Sequence, residues 1–194
     1  MQSTLIPMFP LTLLPLPGEL VPLHIFEPRY KQLLNEAETN DVKFGIYFNH
    51  TDNKQKLGSL MRLESVLKRY EGGELDIIVK CVDVLTLEKL YRTYKDRLYP
   101  GGDVQYWDTR QDHIPGQELY EVFLQYQTLR RITSHFTAFN IFQVAHELSL
   151  DLQERYKFLT LSESMREAFL LSRMKFQIKI MEEETRAKDV FHLN

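Results

Sequence analysis

Apolar positions along this chain change their period once, between Asp108 and Ile114. Before that point they alternate with polar residues or run in short bursts, the two-residue repeat of strands. After it they recur at steps of three and four, the helical repeat. Pro115-Gly116 punctuates the change. The pattern predicts an α+β chain, with a strand-rich lobe over residues 1–113 and a helical lobe over residues 114–194.

In the first lobe, Pro28 suits the opening turn of a helix, where its missing donor would be unpaired anyway. Tyr30, Leu33, Leu34 and Ala37 give that helix a narrow apolar stripe, and it is expected to end near Asn40. Val42 to Phe48 reads as a strand. Leu57, Met61, Leu63 and Leu67 share one parity of a longer strand ending near Tyr70. Glu71-Gly72-Gly73-Glu74 then supplies a hairpin turn, after which Leu75, Ile77, Val79 and Cys81 alternate with Asp76, Ile78 and Lys80. Val82 and Val84 take the opposite parity. Such a switch needs a bulge or a strand bent around a closed sheet, and a small β-barrel accounts for it.

In the second lobe, Leu119, Val122, Phe123, Tyr126, Leu129 and Ile132 predict an amphipathic helix. A second helix is expected from about Asn140. Ser149 is expected to cap a third over Leu150 to Leu159, and Thr160 with Glu163 has capping-box spacing for a long fourth. Along that helix Met165, Phe169, Phe176 and Ile180, joined by Met174, Ile178 and Met181, are expected to face a core until Glu182-Glu183-Glu184. No internal repeat and no low-complexity tract is visible.

Composition adds constraints. Six of the eight prolines fall within the first 28 residues. That opening run has the hydrophobicity of a secretory signal, yet no basic residue precedes it and Pro7 to Pro22 would break its helix. It is therefore expected to be folded scaffold, and the protein to be cytoplasmic. The lone Cys81 lies among Ile77, Ile78, Val79, Val82 and Val84, which fits a reduced, buried strand. No segment reaches the ~18 uninterrupted apolar residues of a membrane span, so no membrane partner is expected. The formal net charge of −3 supplies no basic field for a nucleic acid or an anionic surface.

Phe9-Pro10-Leu11, the turn Leu14-Pro15-Leu16-Pro17-Gly18, and Pro22-Leu23-His24-Ile25-Phe26-Glu27-Pro28-Arg29-Tyr30 before a short helix closely resemble the N-terminal domain of Lon proteases. The hairpin at Glu71 to Glu74 and the helix around Phe142 to Leu148 fall where that family has them, and the similarity runs over about residues 4 to 188. It implies a PUA-like β-barrel followed by a helical subdomain ending in a long helix. It also implies a non-catalytic protein-binding module, whose partners are unfolded or tagged polypeptides or a protease for which it is adaptor or competitor. The expected mode is an apolar groove between barrel and helices, or addition of a strand to an exposed edge. Leu14, Leu16, Phe26 and Tyr30 are the candidate binding residues, since prolines hold them with little conformational freedom; core packing is the competing reading. His24, Glu27, Pro28 and Arg29 belong to the signature and are expected to be a scaffold turn, with a buried histidine, carboxylate and guanidinium satisfying loop backbone groups and one another. After Lys80 the chain departs from many Lon domains, because Cys81-Val82-Asp83-Val84 replaces a segment containing glycine and arginine.

Full-length Lon proteases carry an ATPase and a serine-lysine peptidase after this domain, and neither is expected here. No glycine of the chain is followed by lysine, which excludes a G-x-x-x-x-G-K phosphate loop; no cofactor is expected. Ser65 and Lys68 match S-x-x-K but face opposite sides of a predicted strand, and Ser172 and Lys175 lack the S-D-N and K-T-G partners. His50, His113, His135, His146 and His192 show no paired-ligand spacing, so no metal and no enzymatic activity are expected. One alternative remains. If Lys89 to Tyr99 is a strand, Lys89, Tyr91, Lys95, Arg97 and Tyr99 align on one face as a track for phosphates and stacked bases, which would make RNA a partner, as it is for some PUA-like barrels. The competing use of such residues is to blunt an exposed edge strand.

Overall fold

The computed structural model describes residues 3–109, 114–132 and 139–191. The chain forms two compact units, Met1–Gln111 and Asp112–Asn194. In the first, β1 (Thr4–Leu11), β2 (Leu20–Ile25), α1 (Pro28–Asn40), β3 (Phe44–Phe48), β4 (Leu57–Arg69), β5 (Leu75–Tyr91) and β6 (Gly101–Tyr106) follow in chain order. β5 pairs antiparallel with β4 through most of its length. On its other side it pairs with β2 through Leu75 to Lys80 and with β6 through Leu85 to Tyr91. Because β6 also pairs with β1, β1 runs parallel to β3, and β3 returns to β4, five strands close into a circuit with β2 outside it.

The parity switch on β5 is a bulge. Leu60 pairs with Asp83 while Met61 pairs with Cys81, which leaves Val82 as the additional residue. Leu75, Ile77, Val79 and Cys81 are buried before it, Val84, Leu85 and Leu87 after it. The expected parity of β4 holds only at its start. Leu57 and Met61 are buried, but register shifts at Leu63/Ser65 and Val66/Lys68 turn the strand, and Leu67 is 63% exposed.

Two apolar clusters fill this unit. α1 lays Tyr30, Leu33, Leu34 and Ala37 against Phe44, Ile46, Ile77, Val79 and Cys81. The other cluster groups Ile6, Met8, Leu60, Leu85, Leu87 and Val104 from four strands of the circuit, β1, β4, β5 and β6. Its tightness shows in two glycines. A Cβ on Gly58 would stand 2.6 Å from the Ile46 carbonyl oxygen and 2.9 Å from Leu85, and one on Gly102 would stand 2.6 Å from Leu87.

The proline-rich segment packs as scaffold. Leu14 to Pro17 are buried, and buried loop carbonyls need donors. The Pro15 carbonyl accepts the Ser59 hydroxyl at 2.6 Å and lies 3.4 Å from the Cys81 sulfur. The Gly18 amide donates to the Cys81 carbonyl, the Cys81 amide to the Glu19 carbonyl, and the Leu16 amide to the Glu19 carboxylate. Burial pushes the Cys81 thiol well above its ordinary range, so it is a packed donor and not a nucleophile.

The second unit holds α2 (Gln117–Leu129), α3 (Ile141–Glu147), α4 (Leu152–Thr160) and α5 (Glu163–Phe191). Asn140 and Gln143 form a capping box on α3. Two expected caps fall elsewhere. Asp151 with Glu154 caps α4, while Ser149 takes a left-handed conformation just beyond α3. Thr160 is the last residue of α4 and donates back to the Lys157 carbonyl. The free carbonyls at that end are instead met by the Arg166 guanidinium, which bonds Phe158 and Leu159. α5 buries Leu170, Met174 and Ile178, but Met165, Phe176 and Ile180, expected in the core, are exposed.

Gly58→Ala should destabilise the protein by about 1–3 kcal/mol, the cost of overpacking against backbone that cannot retreat. Chemical denaturation measures it, and a variant as stable as wild type would show that the circuit has slack.

Candidate functional site

β2 is the terminal strand of the sheet, and among the described residues nothing pairs with its outer side. The bond from the Cys81 amide to the Glu19 carbonyl, 2.9 Å, sets the phase of its ladder with β5. Val21, Leu23 and Ile25 therefore bond inward, and Leu20, Pro22 and His24 turn their main-chain groups outward. Pro22 has no amide to offer, so it stands where a ladder requires no donor from it. The amides of Leu20 and His24 and the carbonyls of Leu20, Pro22 and His24 make up the open edge. Leu20 at one end is 54% exposed and Phe26 just beyond the other end is 61% exposed.

Beside Phe26 the register places His24 opposite Asp76. His24 Nδ1 lies 2.6 Å from the Asp76 carboxylate, whose second oxygen accepts the Tyr70 hydroxyl at 2.6 Å. The His24 ring stacks toward Phe26 at 6.2 Å and meets Tyr70 edge-on at 5.8 Å, and the Lys68 ammonium sits 4.3 Å from the Tyr70 ring centre. The Tyr70 hydroxyl and His24 hold the Asp76 carboxyl below the ordinary carboxylate range; the same bond raises Tyr70. Lys31 braces the neighbouring hairpin from α1, through the Gly72 carbonyl at 2.8 Å and Glu74 at 3.2 Å. The result is a fixed aromatic and ionic wall at the end of an open strand edge.

The residues expected to bind separate sharply. Phe26 is exposed, whereas Leu14, Leu16 and Tyr30 are core, with Tyr30 stacked on Phe9 at 3.8 Å. The prolines that stiffen the segment do so by burying it. The signature cluster is not buried either. His24 pairs with Asp76, and Glu27 with Arg29 at 2.7 Å, all at the surface, so these groups hold one another and not the loop backbone. Pro28 opens α1 as expected.

The Lys89 to Tyr99 segment is not one strand. β5 ends at Tyr91, and Lys95 has a φ of 51°. Tyr91 bonds Asp103, Lys89 and Lys95 lie over the neighbouring rings of Tyr91 and Tyr94, and Tyr99 is fully buried. Arg97 and Tyr99 both hold Glu36 of α1, at 2.9 and 2.8 Å. The five residues form no common face. Lys175 is occupied by Glu118 at 2.7 Å. Among the described residues no group of three His, Cys, Asp or Glu could hold a metal ion, and no helix is long and apolar enough to cross a membrane. His113, His135 and His192 lie outside the described residues.

Leu20, Tyr70 and Asp76 escaped the sequence reading. The signal for Asp76 and Tyr70 is the hairpin register, which is set by bulges that a two-residue repeat does not position.

Because the folded state lowers the Asp76 carboxyl, its contribution is present above the ordinary aspartate value of about 3.9 and fades as pH falls through the lowered one. Asp76→Asn should therefore be less stable than wild type at neutral pH, with the gap closing in acid. Parallel urea titrations across pH measure this, and a gap that does not narrow in acid would remove the carboxylate from the account.

Comparison with known proteins agrees with this architecture. A sequence model of the ATP-dependent protease La (LON) substrate-binding domain matches residues 5–189. The fold is similar to the crystal structure of a Lon N-terminal domain protein from Xanthomonas campestris, with a TM-score of 0.67 and 21% identity over 87% of this chain and 98% of that one. It is also similar to the N-terminal domain of the Mycobacterium avium complex Lon protease, with a TM-score of 0.60 and 13% identity over 89% and 98%. No curated protein matches the chain by sequence.

Proposed function

The chain belongs to the Lon substrate-binding domain family, and from that premise we propose that it binds extended segments of unfolded polypeptide along the outer edge of β2 without chemical change to them. The open edge between exposed Leu20 and Phe26 carries this reading. An added strand would exchange hydrogen bonds with Leu20 and His24, which any sequence can supply, while Leu20 and Phe26 favour apolar side chains at the ends. Recognition of main chain with loose side-chain preference suits a module that meets many partners. In that role the protein presents polypeptides to a protease, as an adaptor.

The edge is six residues long, so each contact matters. Phe26→Ala and Leu20→Ala should each weaken binding of a reduced, carboxymethylated, permanently unfolded protein by about tenfold, from the apolar area lost. Fluorescence anisotropy measures the affinity, and amide shifts on titration map it. The proposal fails if both variants bind as wild type does, or if the shifts bypass β2.

A further inference from the structure

The outward stripe of α5 has a pattern independent of the β2 edge. Leu170, Met174 and Ile178 point into their own unit, yet Phe176 and Ile180 are 57% and 41% exposed on another face of the same helix. Phe169, Arg173, Phe176, Ile180, Glu183 and Ala187 are spaced by four, three, four, three and four residues, the heptad repeat of a coiled-coil seam. The seam is apolar except at Arg173 and Glu183. At its first position Phe169 is half-buried, with its ring beside Phe158 and under the Lys157 ammonium of α4, so the free apolar part is centred on Phe176 and Ile180.

Those two charges are placed symmetrically. Arg173 and Glu183 are each five positions from Ile178, Phe176 and Ile180 each two, and Phe169 and Ala187 each nine. Two such helices running antiparallel about that centre set Arg173 against Glu183, Phe176 against Ile180, and Phe169 against Ala187, each layer occurring twice. Running parallel, they would set Arg173 against Arg173 and Glu183 against Glu183. Only the antiparallel arrangement is charge-complementary. We propose that this face of α5 is a self-association surface whose occupant is the α5 helix of a second copy of this chain, antiparallel about Ile178.

The contact is small. From Phe169 to Ala187 the seam is about 27 Å long at 1.5 Å per residue, which puts the buried area below the ~1,200 Å² of standard specific interfaces. Arg173 also spends part of its guanidinium on Glu154, and Lys179 would flank its own copy across the axis. The dimer is therefore weak, with a dissociation constant on the order of micromolar.

Sedimentation velocity of the full chain over a concentration series tests this. Wild type should shift reversibly from monomer to dimer, and Phe176→Glu should remain monomeric with unchanged helical circular dichroism. Glu183→Arg should lose at least tenfold in affinity, Glu183→Ala less, and the double swap Arg173→Glu with Glu183→Arg should regain what Glu183→Arg loses. The Glu183 variants alter an exposed residue, so they remain informative if Arg173→Glu unfolds through loss of Glu154. A wild type that stays monomeric, or a dimer indifferent to Phe176→Glu or Glu183→Arg, overturns the proposal. So does a Phe176→Glu monomer that melts at markedly lower temperature, which would mean the stripe is covered by its own chain. Loss of unfolded-polypeptide binding in Phe176→Glu without any wild-type dimer would equally overturn it and assign the stripe to that ligand.

Discussion

Everything in the first unit turns on the bend in β5 at Cys81 to Val84. A straight strand of 17 residues would keep one neighbour on each side. At the bulge β5 instead exchanges β2 for β6 while β4 follows on the other side. The bend exposes main-chain donors that must be met. The buried Asp83 carboxylate accepts the amides of Val84, Asp108 and Thr109, and the Trp107 amide reaches the Val84 carbonyl. Just before the bend, the Cys81 amide and carbonyl bind the end of the proline loop, while Ser59 on β4 donates to the Pro15 carbonyl. One short stretch thus closes the circuit and seats the loop. Within that stretch the Asp83 side chain supplies three acceptor contacts that a residue without a side-chain oxygen could not.

The open edge follows from the same bend. β2 ends up outside the circuit because β5 leaves it to join β6, and no strand of the circuit returns to pair with its far side. The six outer-strand residues are held from below by the ladder to β5 and at both ends by buried chain, namely the Leu14 to Pro17 loop before them and Ile25 and Tyr30 after. The edge is rigid before anything binds. Rigidity lowers the ordering cost of an incoming strand to that of the ligand alone.

How much of this could be read from residue order differs by element. The bulge was legible because parity is local, and α1 was legible because Pro28 and four apolar positions agree. The cap of α4 misled, since Ser149 was expected to supply it; Ser149 instead takes the left-handed turn after α3, and the Asp151 carboxylate two residues on caps the helix. On α5 two apolar stripes look alike in sequence, and only packing separates Met174 and Ile178 from Phe176 and Ile180. The segment at Lys89 to Tyr99 misled because its key partner, Glu36, lies more than fifty residues away on α1. Of the residues expected to bind, Phe26 is exposed just beyond the β2 edge, but the same prolines that suggested a displayed segment place Leu14 and Leu16 in the core.

An unpaired strand edge is a hazard, and the devices that contain it also bear on how it binds. Pro22 removes one donor from the middle of the edge, and the strand is too short to template a long ladder. His24 and Asp76 put an ion pair at one end, where a second copy of the same edge would bring like groups together in a parallel approach. These features limit self-pairing more than they limit a flexible ligand, which can leave the Pro22 position unbonded and place an apolar side chain on Phe26. They also keep any single complex short-lived, since two amides and three carbonyls are all the edge can commit. Brief, sequence-tolerant contact is what the proposed binding of many polypeptides would need, and a longer or fully donating edge would trade it for aggregation.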